Sequence, residues 1–218
     1  MQPYVFLVIL LSSLSLQTVL AAPPVMPVTS EKKAHQILQK IYQQQPFTFF
    51  CHHPFQNTPI QWIPVIPYPQ LAQSRLCYQA LLCVDSHGKP YKGLRCCQKV
   101  DDTFKKMRLD LHNLIPENAM LKQPRHFRYG IIASGSKENH SCNYYFDKKQ
   151  KILEPAPHLR GQIARTILYM HDTYHIALSA DEIHLYFAWH KQYPVTPWER
   201  ERNQRIREIQ GNSNPYIN

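Results

Sequence analysis

Six cysteines, Cys51, Cys77, Cys83, Cys96, Cys97 and Cys142, constrain this chain more than any other feature. An even count reads as a disulfide framework only if the chain leaves the reducing interior of the cell. Its opening residues, MQPYVFLVILLSSLSLQTVL followed by AAPP, supply that condition. They hold one apolar run of the length expected for the core of a secretory leader, with Val19 and Ala21 as the small residues before a predicted cut after Ala21. Ser12, Ser13, Ser15, Gln17 and Thr18 leave too short an apolar span for a stable transmembrane helix. Export without a membrane anchor is therefore expected, with residues 1–21 as leader and 22–218 as one domain. Six cysteines allow about fifteen pairings. The neighbours Cys96 and Cys97 are poorly placed to bridge each other, so each is expected to reach a different partner. A zinc site is the competing use, but no pair has CxxC spacing.

Local signals then place several elements. Ser30 is an N-cap candidate, and Ala34, Ile37, Leu38, Ile41 and Tyr42 recur at helical spacing after it. From Phe47 to Pro69 the chain is aromatic, β-branched and proline-rich, which predicts short strands and loops and no helix. The C-terminal third reads as helical. Arg160 to Tyr174 carries Ile163, Ile167, Leu168 and Tyr174 along one side. Ser179 with Glu182, and Thr196 with Glu199 behind Pro197, have the form of capping boxes, and Gly211 closes the last helix.

Charge narrows the partners. The 218 residues contain 25 Lys and Arg against 15 Asp and Glu, and the formal net charge is +10. Between Lys89 and Arg128 stand ten of the basic residues and four acids. Such a balance favours polyanions over neutral small molecules, although a solvated face with no function is the commoner meaning of a charge run.

Six stretches taken together resemble one family. FFC at 49–51, RLCY at 75–78, DLHNLIP at 110–116, EP and RGQIART within 154–166, YPVTPWERERNQRI at 193–206 and QGNSNPYI at 210–217 are similar, in the same order, to endonuclease I proteins of the bacterial periplasm and medium. The resemblance implies an α+β fold built on a ββα-metal (His-Me finger) core of a short hairpin and a helix, surrounded by helices, and a bridge between Cys51 and Cys142. It also implies cleavage of DNA, and often RNA, with little sequence preference. In the family a histidine acts as general base on water, a glutamate and an asparagine hold magnesium, and an arginine binds phosphate. A positioned base supplies roughly 100- to 10,000-fold, and the metal stabilises charge building on the phosphodiester.

Around the base, the family pattern is matched by Ile60, Trp62, Val65, Ile66 and Pro67 of IQWIPVIP but not at its two chemical positions. Ile63 stands at the metal-binding glutamate and Pro64 at the histidine. Isoleucine offers a hard cation no donor atom, and proline has neither a titratable group nor a backbone N–H. Counting without gaps from Pro116 puts Lys122 at the metal-binding asparagine, so no magnesium or other cofactor is expected. Arg95 in GLRCC and Arg125 fall at arginine positions of the family, and with Lys122 they are the predicted phosphate contacts.

Four histidines are candidates for a relocated base. His52 and His53 follow Cys51, His112 lies in DLHNL, and His126 follows Arg125. Three also have a bland role, the first two as loop residues and His112 as a hydrogen-bonding residue beside the core. Three functions follow: a catalytically impaired binder of DNA, RNA or another polyanion, an active nuclease with a shifted base such as His112, or a scaffold whose basic surface is incidental.

Overall fold

The computed structural model describes residues 28–121, 126–133, 138–140, 142 and 144–217, the side chains of 138–140 excepted. The predicted leader, residues 1–21, lies outside them, as do Lys122 and Arg125. No helix among the described residues is long and apolar enough to cross a membrane. Short strands and longer helices form the α+β architecture, stapled by three disulfides.

Helix α1 (Glu31–Ile41) begins where Ser30 Oγ accepts from the Lys33 amide at 3.2 Å. It buries Ala34, Ile37, Leu38 and Ile41. These side chains form a small core with Leu111, Leu114 and Ile206, the last on α8 (Pro197–Gln210). A larger core gathers Phe50, Ile66, Phe104, Ile115, Tyr144, Leu153, Ile163 and Leu168.

A two-stranded antiparallel ribbon separates the cores. Strand β1 (Ile60–Pro64) pairs with β4 (Leu114–Asn118), Ile63 opposite Ile115 and Pro64 opposite Leu114. Because strand side chains alternate, Trp62 and Leu114 join the small core, while Ile63 and Ile115 face the larger one. Hydrogen bonds from Val65 N to Asn113 O and from Ala119 N to Pro59 O, both 2.7 Å, fix which pairs are bonded. Their alternation leaves Pro64 and Pro116 at positions whose nitrogen points out of the ribbon, where proline forfeits no ladder bond.

Chain order continues with α2 (Tyr68–Ala72), α3 (Leu76–Gln79), the strand pair β2 (Cys83–Val84) and β3 (Pro90–Tyr91), then α4 (Leu94–Val100) and α5 (Asp102–Leu109). The expectation of no helix between Phe47 and Pro69 is corrected here. A 3-10 turn covers Phe55–Asn57, and α2 starts at Tyr68 with Pro69 in its first turn, where a missing N–H is harmless. Strands β5 (Arg128–Tyr129), β6 (Glu138–His140), β7 (Tyr144–Asp147) and β8 (Ile152–Pro155) form a sheet in the order β5-β8-β7-β6, with β5 and β8 parallel. Helix α6 (Pro157–Tyr174) crosses the larger core, and α7 (Ala180–Gln192) packs beside it. Both predicted capping boxes are formed, and Gly211 ends α8 at φ 89°.

The bridges are Cys51–Cys142, Cys77–Cys97 and Cys83–Cys96. Adjacent cysteines on α4 thus reach different partners and tie α4 to α3 and β2. Among the described residues no cysteine is free.

Candidate functional site

The ribbon, α2, α3 and α4 enclose a cleft of about 760 Å³. Gln61, Ile63 and Pro64 line it from β1, Tyr68 from α2, Tyr78 from α3, and Lys92 and Arg95 from the start of α4. His126 closes one side and also lines a neighbouring hollow of about 850 Å³ with Arg128 and Lys151. Residues more than thirty positions apart in sequence therefore share one surface.

Arg95 is placed by its neighbours. Gly93 turns the chain into α4 at φ 96°, a conformation that favours glycine, and its amide bonds Cys77 O at 3.0 Å. Cys96 and Cys97 are drawn inward by their disulfides, which leaves Arg95 facing out. Its guanidinium lies over the Tyr91 ring, 5.1 Å from the centroid. No carboxylate among the described residues pairs with Arg95, whereas Arg75 holds Asp101 through two bonds of 2.7 and 3.0 Å and Arg160 holds Glu154 at 2.9 Å. The exposed Arg95 is thus available to an external anion, and Lys92, whose ammonium donates to Gln79 O at 3.0 Å, lies beside it in the cleft.

Neither Ile63 nor Pro64 brings a side-chain ligand for a magnesium ion to the cleft. No group of three or more His, Cys, Asp or Glu among the described residues is positioned to hold a metal. Glu117 is the acid that comes nearest in register, facing Gln61 across the ribbon and standing diagonally to Ile63 on the same face. The basic-residue count contained it without marking it out. Its buried carboxylate accepts from Phe50 N at 2.6 Å and Asn118 N at 2.7 Å, and burial raises its pKa. Those main-chain amides occupy the carboxylate oxygens, so Glu117 ties the segment before Cys51 to the ribbon and does not line the cleft.

The histidines separate clearly. His52 stacks on Phe47 at 4.6 Å, and the His53 amide donates to Thr48 Oγ1 at 2.8 Å, both in the loop before β1. His126 is exposed at the cleft. His112 is fully buried elsewhere, its ring 4.7 Å from that of Tyr169 and Nε2 3.3 Å from Asn212 O. It therefore lacks the access to a water at the cleft that a base requires. Asp110 beside it accepts from Tyr169 and Tyr174 hydroxyls at 2.7 Å each and from Gln210 Nε2 at 3.0 Å, which joins the DLHN segment to the C-terminus. Lys92, Tyr68 and Tyr78 are cleft residues that sequence reading did not single out as site residues. The basic run around Lys92 and the RLCY stretch ending at Tyr78 were the signals that bore on them.

Burial lowers the His112 pKa from 6.5 to about 4, with the Asp110 charge opposing and Arg202 assisting. Above pH 6.5 neither the folded nor the unfolded chain is charged at this ring. As the pH falls from 6.5 towards 4, the unfolded chain takes up a proton that the folded chain refuses, so stability is lost, by roughly 3 kcal/mol in all. Urea midpoints measured from pH 7 to 4.5 should fall steeply for the natural chain and less so for His112→Gln. Equal slopes would show that the ring does not govern the loss.

The sequence comparisons agree with the architecture. Residues 58–218 match the family model described as Endonuclease I. An extracellular deoxyribonuclease of Aeromonas hydrophila is 31% identical over 211 residues, covering 85% of this chain and 86% of the relative. A periplasmic deoxyribonuclease of the same organism is 31% identical over 207 residues, covering 84% and 82%. Endonuclease-1 of Buchnera aphidicola subsp. Acyrthosiphon pisum is 34% identical over 188 residues, covering 84% and 70%. With the ribbon, the cleft and most of the larger core inside the matched region, the chain belongs to the endonuclease I family.

Proposed function

We propose that this protein is an exported endonuclease I homologue that binds the phosphate backbone of nucleic acid without hydrolysing it. One observation carries the reading: Ile63 and Pro64, at the family's metal-ligand and base positions, line the same cleft as the unpaired Arg95. The cleft keeps a cation for phosphate and has lost the groups that activate water. The net charge of +10 supports the choice of a polyanion. DNA is the first ligand to test, because the relatives are named deoxyribonucleases, and RNA shares the recognised group. The His-Me finger arrangement, and phosphate contacts by Lys122 and Arg125, belong to this reading.

Filter binding of a DNA duplex across a salt series tests it. Affinity should fall with salt, and Arg95→Ala should flatten the logarithmic slope by about one phosphate contact. Absence of any salt-dependent binding at low ionic strength would remove the proposal.

A second reading is favoured by one placement: His126 lines the same cleft as Pro64. As a relocated base it would make the protein an active nuclease. Plasmid cleavage by the purified natural chain, lost in His126→Ala, would decide for it.

A further inference from the structure

Five large apolar side chains are left open on one small unit. Leu76, Leu81, Leu82, Val84 and Val100 are between 49% and 63% exposed. Isolated exposed leucines are ordinary, but a concentration of them marks a contact surface. The covalent geometry brings them together. Cys77–Cys97 and Cys83–Cys96 staple α3 and β2 to α4. The Arg75–Asp101 ion pair of 2.7 Å ties the start of α3 to the end of α4, next in sequence to Leu76 and Val100. Cys83 is buried, so its neighbours Leu82 and Val84 point the opposite way, to solvent.

The chemistry around the patch selects its partner. Lys89 and Lys99 are exposed on the same unit, next to the cleft residues Lys92 and Arg95. Asp85 is the one acid between residues 76 and 100, and its carboxylate is turned back onto the amides of His87 and Lys89, at 2.8 and 3.0 Å. None of the five apolar residues lines the cleft or the neighbouring hollow, so the patch is separate from both. An exposed apolar surface accompanied by lysines has the composition of an interfacial membrane contact. The two staples hold it ready, which removes the ordering cost of docking.

We propose that residues 76–100 form a docking face for an anionic lipid bilayer. The proposal does not rest on nucleic-acid binding and would hold for a chain of either catalytic status.

The test is vesicle flotation with residues 22–218, the chain expected once the apolar leader is removed. Vesicles of phosphatidylcholine containing phosphatidylglycerol should carry the protein at low salt, and pure phosphatidylcholine vesicles should carry far less. Combined Leu81→Ser, Leu82→Ser and Val84→Thr should weaken partition by about tenfold or more, while Ile131→Ser, at an exposed apolar position elsewhere, should not. Should the triple variant fold poorly, Lys89→Glu with Lys99→Glu provides a second variant that must also weaken partition. Recovery of the natural chain free of anionic vesicles would overturn the proposal. So would equal partition of the folded variants, or concentration-dependent self-association abolished by the apolar substitutions and insensitive to lipid, which would assign the face to a second copy of the chain.

Discussion

Putting glutamate at Ile63, histidine at Pro64 and asparagine at Lys122 in one chain is expected to produce magnesium-dependent cleavage of plasmid DNA, and the natural chain is expected to produce none. The fold should tolerate the first two changes. Pro64 sits at a ribbon position whose nitrogen points away from β4, so Pro64→His introduces an N–H that needs no partner inside the pair. Ile63 is only half-buried, and a carboxylate there loses part of one side chain's packing, about 1–2 kcal/mol. Lys122→Asn is included because an ammonium at the amide position repels a divalent ion. A restored base alone contributes roughly 100- to 10,000-fold, so the triple variant should exceed each single variant by orders of magnitude, and chelator should abolish its activity. A supercoiled-plasmid nicking assay with equal amounts of each folded protein reads this directly. Comparable magnesium-dependent nicking by the natural chain would end the claim that its reaction is lost. Failure of a well-folded triple variant would show that the cleft has diverged beyond those three positions.

What the sequence revealed of this molecule divides by the range of the interactions involved. The Ser30 cap, the buried face of α1 and the two capping boxes were legible because each rests on residues within a turn or two of one another. Helix α2 was hidden in a proline-rich stretch, because proline breaks a helix and also begins one, and the difference lies in which turn it occupies. Strands β5 and β8 are too short to carry a period, and their parallel pairing joins Arg128 to Ile152 across more than twenty residues. The pairing of Cys51 with Cys142 came from family likeness, whereas the other two bridges depended on tertiary approach that spacing does not encode.

The site follows the same rule. Ile63 and Pro64 stood out as chemically mute residues inside a readable motif, but their meeting with Arg95 required α4 to be stapled and turned. DLHNL made His112 conspicuous without disclosing that its ring is buried against Tyr169. His126, set in a stretch of weak family similarity, is the histidine that reached the cleft.

Removing the Glu199 carboxylate should cost more stability than removing any surface charge. Arg165 Nε and Nη2 donate to the two Glu199 oxygens at 2.8 Å each, and the side chains are 1% and 2% exposed. Arg165 Nη1 also donates to Tyr193 O at 2.8 Å. Gly161 explains how the parts come so close within α6: a Cβ there would stand 2.6 Å from Tyr193 O and 2.7 Å from Arg165 Nη2. The helix thus accepts a residue costing about 1 kcal/mol relative to alanine to make room for the clamp. Glu199→Ala would strand a guanidinium out of water, a loss of about 3–5 kcal/mol. It would also break the capping box, in which Glu199 accepts from Thr196 N at 3.0 Å, for about 1 kcal/mol more. Substituting both partners together, Arg165→Met with Glu199→Met, should recover much of that loss, because an apolar pair has no charge to strand. Urea unfolding of the three proteins at pH 7 gives the comparison. A Glu199→Ala midpoint within about 1 kcal/mol of the natural chain would mean that water reaches Arg165 in the folded protein. Since the clamp lies away from the cleft, Arg95-dependent nucleic-acid binding should persist in each variant under conditions where it remains folded.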